Sequence, residues 1–198
     1  MTIGNKLRLG GAILLFVTVL TPAAAAEAPG HSTLISILSG FSKIDESTVG
    51  FDEQKLLSTH KQPVKLSGSL VYRKPGYLKK HIDRPYEEML EINGDYLSVT
   101  DYEGFTQQIS LQDTPEVYLY VYAFRGMLSG NYQLLNENFR IDFKGKAEDW
   151  VIGFVPLVKS DKQILKQIIF AGRHAKISRI EIINRDDKST LRLHDRKN

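Results

Sequence analysis

Five histidines, His31, His60, His81, His174 and His194, are the first candidates for acid–base or metal chemistry. They lie far apart, and no His-x-His or His-Glu-x-x-His spacing places two of them on one face of an element. The chain has no cysteine, which excludes thiolate metal ligation, a cysteine nucleophile and a disulfide framework together. Ser67-Gly68-Ser69 has the wrong order for a nucleophile elbow and falls inside an extended stretch. Glu87-Glu88 and Asp186-Asp187 are carboxylate pairs, but neighbours on a strand point to opposite faces, so they read as solvated turn or edge charges. His194-Asp195 sits at the C-terminal end, where fraying defeats a catalytic dyad. A glycine-rich phosphate loop is absent. The chain is therefore read as a non-enzyme with no cofactor and no metal.

What remains is apolar bulk on short elements. The 198 residues are 42% hydrophobic and 25% charged, enough for one packed domain. The spacing of Leu34, Ile35, Leu38 and Phe41 predicts a helix over residues 32–42, with Ser32 as its cap. A period of two follows. Val49, Phe51, Glu53, Lys55 and Leu57 share one face of an extended stretch, and Val64, Leu66, Gly68, Leu70 and Tyr72 alternate in the next. Further strands are expected at 77–82, 89–93 (with Leu90), 96–101 and 105–111, the middle pair joined by Asn93-Gly94. Val117, Tyr120, Val121, Phe124 and Leu128 then recur at helical spacing over 116–128, with Asp113 or Thr114 as cap, Pro115 in the first turn and Gly130 as the stop. A turn around 131–135 leads to strands at 139–143, 150–155, 165–171, 176–184 and 190–194, with turn signals that include Ser160-Asp161. About ten strands joined by tight turns must be antiparallel, and so many with so few helices curl rather than stay flat. The expected fold is mainly β (α+β): a curled antiparallel sheet forming a half-closed β-barrel with a helical lid.

Lys6 and Arg8, the apolar run from Ile13 to Leu20, and the alanines from Ala23 to Ala26 are the order of a secretory signal peptide. The expected organisation is a signal peptide over 1–26 and a single domain over 27–198, located in the periplasm. Removing two cations leaves 24 basic against 23 acidic residues. A domain so near neutrality lacks the basic field of a nucleic-acid binder. With no cysteine to carry a lipid anchor after cleavage, the mature protein is expected to be soluble in the periplasm rather than lipid-anchored, and a monomer.

From Phe51 to Pro85 the pattern Phe51-x-Glu53-x-Lys55, Leu66-x-Gly68-x-Leu70-x-Tyr72-Arg73-Lys74-Pro75 and then Pro85 resembles the LolA-type outer-membrane lipoprotein carriers. Leu128-x-Gly130, Phe139, Trp150 and Pro156 fit a more distant LolA-related branch, so the resemblance spans about residues 32–194. It implies an incomplete antiparallel barrel with a helical lid and a hydrophobic cavity. It also implies cargo consisting of the acyl chains of lipoproteins or a related lipid conjugate, carried from inner to outer membrane. The partners it implies are an inner-membrane ABC-type releasing complex and an outer-membrane receptor. The same fold serves periplasmic sensors and scaffolds, which is the alternative reading.

The residues expected to form the cavity or its lid are Leu38, Phe51, Leu70, Tyr72, Tyr77, Leu90, Phe105, Tyr120 and Phe124. Both the helix at 32–42 and the helix at 116–128 are expected to cover it. Lys74 stands where the carriers place an arginine that passes cargo onward, and a lysine cannot reproduce a planar guanidinium. Lys74 and the adjacent Arg73 are the transfer or headgroup candidates. Lys79, Lys80 and Arg84 occupy a stretch that is more apolar in the carriers. They suit either an anionic headgroup at the cavity mouth or a charge-protected edge strand.

Overall fold

In the computed structural model, described for residues 29–158 and 164–196, the chain forms three helices and eleven strands. The signal-peptide assignment and the Ser160-Asp161 turn lie outside the described residues. Helix α1 (Pro29–Phe41) precedes six strands: β1 (Glu46–Leu57), β2 (Val64–Arg73), β3 (Tyr77–Arg84), β4 (Glu88–Asn93), β5 (Tyr96–Thr100) and β6 (Thr106–Ser110). Helices α2 (Pro115–Ser129) and α3 (Tyr132–Asn138) interrupt them. Strands β7 (Phe139–Lys146), β8 (Asp149–Pro156), β9 (Leu165–Arg173), β10 (Lys176–Asn184) and β11 (Asp187–His194) complete the chain.

All eleven strands belong to one antiparallel sheet in the order β6-β5-β4-β3-β2-β1-β11-β10-β9-β8-β7. Among the described residues the first and last strands of the order, β6 and β7, are unpaired edges, so the barrel is open. The curl follows from distances. Six strand spacings separate β5 from β10, roughly 29 Å across a flat sheet. Yet α2, about 10 Å wide, touches both. Its Val121 packs with Leu97 of β5, and its Tyr120 hydroxyl donates to Asn184 Oδ1 of β10 at 2.6 Å. Only a sheet wrapped around the helix allows this.

One half of the inner face is filled. Leu34, Ile37, Leu38 and Phe41 of α1, Ala123 and Met127 of α2 and Leu135 of α3 pack against Phe139, Trp150, Ile152, Phe154, Ile168 and Phe170. Edge-on ring contacts run from Phe41 to Trp150 and from Phe124 through Phe170 to Phe154. The Trp150 indole N–H donates to the His174 carbonyl at 2.9 Å, which satisfies the only polar atom of the ring.

Several local expectations change. Ser32 lies inside α1 and caps nothing, because the helix begins at least three residues earlier. The segment after Gly130 is the seven-residue helix α3 rather than a turn. Asn131 accepts the Leu134 N–H at 3.0 Å, so the residue that signalled a turn is a helix cap. Thr114 is the N-cap residue of α2, but its hydroxyl donates backwards to the Ser110 carbonyl instead of capping. Gly130 ends α2 with φ of 69°, as its sequence position suggested. Strand β3 is not an edge. It pairs with β2 on one side and β4 on the other, so its lysines have another reason to be there.

Candidate functional site: an amphipathic chamber beneath helix α2

The other half of the inner face, under β1–β5, β10 and β11, is not filled. It encloses a cavity of about 710 Å³ roofed by α2, within the usual size range of small-ligand sites. Alternation decides which side chains reach it. On β2, Leu70 and Tyr72 point inward. The pairs Leu70↔Lys80 and Tyr72↔Leu78 then place Lys80 and Leu78 inward on β3, and Leu90 and Ile92 continue the row on β4. Ile180, Ile182, Leu191 and Leu193 form the opposite wall. Val117, Tyr120, Val121, Phe124 and Leu128 of α2 form the roof.

The chamber is polar at one end. Glu53 is 4% exposed, in the same inward row as Val49 and Phe51. Its two carboxylate oxygens accept from the Ser189 hydroxyl at 2.6 Å and from the Lys80 ammonium at 2.5 Å. Lys80 reaches Glu53 by crossing the face of the Phe51 ring, 5.0 Å from its centroid. Lys55, Asp187 and Asn184 line the same end, and the Asn184 amide donates to Asp187 at 2.9 Å. Burial pushes the Tyr120 phenol up to about 12, with the Asp187 charge adding to the rise and the Asn184 hydrogen bond opposing it. At the far end, near α1, Phe41, Ile44, Ile177 and Ala175 are apolar, and the Lys176 and Asp195 side chains pair with each other at 2.7 Å.

Of the sequence-chosen residues, Leu70, Tyr72, Leu90, Tyr120 and Phe124 line the chamber. Leu38 and Phe51 are fully buried in the packed core beside it. Tyr77 faces away, stacked under the Arg73 guanidinium at 4.7 Å, on the opposite side of β3 from Leu78 and Lys80. Phe105 is 70% exposed in the β5–β6 turn and does not reach the cavity; a residue outside the regular ladder does not inherit its strand's facing. Helix α1 gives only Phe41 to the lining and works as a wedge rather than a cover.

The transfer candidates also sit elsewhere. Lys74 donates to the Ser42 carbonyl at 2.6 Å and pairs with Asp45 at 2.8 Å, tying the end of α1 to the β2–β3 corner. Arg73 pairs with Glu46 on the surface. Sequence reasoning missed the inward roles of Glu53, Lys55, Asn184, Asp187 and Ser189. For Glu53 and Lys55 the signal was present: charges at positions whose period-two neighbours are Val49 and Phe51. Asp187 was read as a turn charge, yet it opens β11 and faces inward. Among the described residues no group of three or more histidines or carboxylates is placed to hold a metal ion. Nor is any helix there long and apolar enough to cross a membrane.

An open antiparallel half-barrel, plugged on one side by helices and hollow on the other, is a cavity-bearing scaffold of the binding-protein kind. The chain belongs to the family of LolA-like outer membrane lipoprotein carrier proteins, whose model matches residues 23–192. It is similar to the outer-membrane lipoprotein carrier protein of Pseudomonas aeruginosa, 25% identical over 171 residues, covering 86% of this chain and 79% of that one. The carrier of Azotobacter vinelandii is 24% identical over 174 residues, covering 86% and 81%. Among solved structures, a LolA superfamily protein from Nitrosomonas europaea matches with a TM-score of 0.44 at 12% identity, over 84% of this chain and 94% of that one.

Proposed function

We propose that this protein is a periplasmic carrier that takes the acyl chains of lipoproteins or a related lipid conjugate into its chamber and moves them from inner to outer membrane. The observation that carries the reading is the unfilled, mostly apolar volume of about 710 Å³ beneath α2. Empty interior space of this size forfeits dispersion contacts, so a fold keeps it where a ligand restores them. The chemistry of transit explains the need. Each methylene moved into water costs about 0.8 kcal/mol, so a chain of ordinary lipid length cannot cross an aqueous compartment uncovered. A chamber walled by Leu, Ile and Val recovers that burial without demanding one ligand shape. Membership in a carrier family supports the same reading. Release to an outer-membrane receptor and loading from an ABC-type complex are the partners this role requires.

Native mass spectrometry of protein taken from its own periplasm tests the proposal. The expected result is a co-purifying acylated lipid or lipoprotein. A clean unliganded mass accompanied by a stable protein partner would instead favour a sensor or scaffold.

A further inference from the structure

A chamber meant only for hydrocarbon has no use for a buried ion pair, because taking charges out of water is costly before their attraction is counted. This chamber holds one on its wall, with a second cation beside it. The Lys80 ammonium has three donors and spends one on Glu53. Its side chain is 25% exposed, so the head is reachable from the cavity. Lys55 lies two residues beyond Glu53 on the same inward face, lines the same cavity, and makes no ion pair among the described residues. Of the carboxylates nearby, Glu53 is engaged on both oxygens, by Lys80 and Ser189, while Asp187 accepts from the neutral Asn184 amide on one oxygen and keeps its charge. The Lys80 and Lys55 ammonium groups thus keep N–H donors available at the polar end.

Building on the carrier reading, we propose that Lys80 and Lys55 form a seat for the anionic head of an amphiphilic cargo, a phosphate or carboxylate attached to acyl chains. Glu53 is the positioning residue. It holds the Lys80 head across Phe51 inside the chamber, where a free lysine would extend toward solvent. Ser189 fixes the other carboxylate oxygen. The head sits at the end marked by Lys55, Asn184 and Asp187, and the chains run toward Ile44, Ile177 and Leu193. Strand β1 rises roughly 20 Å from Glu53 to Ser47, room for an extended chain. Charge-assisted donors favour a phosphate or carboxylate over a neutral ester.

The test offers delipidated full-length protein either 1,2-dioleoyl phosphatidate or 1,2-dioleoylglycerol in the same nonionic micelles. Lipid retained after gel filtration is then quantified across a titration. The chains are identical, so only the head differs. The expected result is at least tenfold tighter retention of phosphatidate, abolished in Lys55→Met/Lys80→Met with diacylglycerol retention kept. Because Lys80→Met strands a buried carboxylate, Lys55→Met alone and Glu53→Gln/Lys80→Met are measured alongside, and each is expected to reduce the preference. Equal retention of the two lipids by the unaltered protein overturns the anion seat and leaves the carrier reading standing. Retention of neither overturns both. Inorganic phosphate is expected not to displace phosphatidate at 1 mM; displacement would overturn the assignment to an amphiphile.

Discussion

Lys80 of β3 reaches past the whole of β2 to Glu53 of β1, and the two heads meet at 2.5 Å on the inner face of the barrel. The contact staples three strands from within. Glu53 is almost fully buried while Lys80 keeps a quarter of its side chain exposed, so the two truncations are not equivalent. Lys80→Met removes the cation and leaves a buried carboxylate with only the Ser189 hydroxyl. The expected loss is about 2 kcal/mol, below the 3–5 kcal/mol of a fully enclosed pair because water reaches the lysine. Glu53→Gln in the same chain should restore most of that loss, since a neutral amide carries no uncompensated charge. Chemical denaturation of both single variants and the double variant measures the coupling. A loss in the double variant equal to the sum of the two single losses would mean that the pair is not coupled.

Phe124 and Leu38 separate the roof from the wedge. Phe124 is half-buried, faces the chamber and meets Phe170 edge-on at 5.3 Å. Phe124→Ser should cost about 2 kcal/mol, less than a fully buried aromatic, and should change lipid retention in a protein that still folds. Leu38 is 1% exposed among α1, α2 and the far strands. Leu38→Asn puts an unpaired amide in that core and should cost upward of about 3 kcal/mol, with its effect on binding following the loss of fold. A thermal melt beside the lipid titration distinguishes the two. A Leu38→Asn protein with an unchanged melt and altered retention would return α1 to the role of a lid.

Tyr72 lines the chamber, yet its hydroxyl is buried with no hydrogen-bond partner among the described residues. Burial also raises its ionisation above the ordinary phenol range, with Asp45 adding and Lys74 opposing. An unmet buried hydroxyl costs about 1–3 kcal/mol. Tyr72→Phe removes the atom and keeps the ring, so it should be neutral or raise the melting temperature by about 2–4 °C for a gain near 1 kcal/mol. A drop in the melt would reveal a partner for the hydroxyl in solution.

The architecture was legible because two periods, 2 and 3.6, mark strands and helices independently of what they pack against. The strands at 77–82, 89–93 and 176–184 appear where alternation and turn residues placed them. Asn93-Gly94 forms its hairpin with Gly94 at φ of 57°. The site was only partly legible. Alternation says that Leu70 and Tyr72 share a face, but which face looks inward depends on the wrapping of eleven strands. For this reason Tyr77, a cavity candidate from its sequence, lies on the outer face of β3, and Leu78 and Lys80 on the inner one. Phe105 failed because its aromatic character was read as interior although it lies in a turn. The ion pair at Glu53 needed three strands brought into register, which no local pattern encodes.

Gly68 belongs to the pattern through which this sequence resembles the carriers, and its place in the sheet explains why no side chain fits. It sits at an irregularity in the β2–β3 pairing, opposite Phe51 on β1. A methyl group there would lie 1.9 Å from the His81 carbonyl oxygen, a backbone atom that cannot rotate aside. Gly68→Ala must therefore push β3 away from β2, and Lys80 is carried on β3. The expected loss is at least about 2 kcal/mol, the range for steric violation of a packed backbone.

Tyr120 supplies a pH signature for the chamber. In the folded protein its phenol is pushed up to about 12, against the ordinary value of 10.0 that it has in the unfolded chain. The folded state thus holds the proton more tightly, and its stabilising contribution is complete below pH 10. As pH rises between 10 and 12 the unfolded state loses its proton first, so stability falls, and the contribution is gone once the folded phenol has ionised. Tyr120→Phe removes this group, and the Asn184 hydrogen bond with it. The variant should begin less stable near neutrality and lose less between pH 10 and 12. Urea midpoints at pH 8, 10, 11 and 12 for both proteins measure this slope, with absorbance at 295 nm following tyrosinate. Parallel slopes would place the Tyr120 phenol in water rather than under α2.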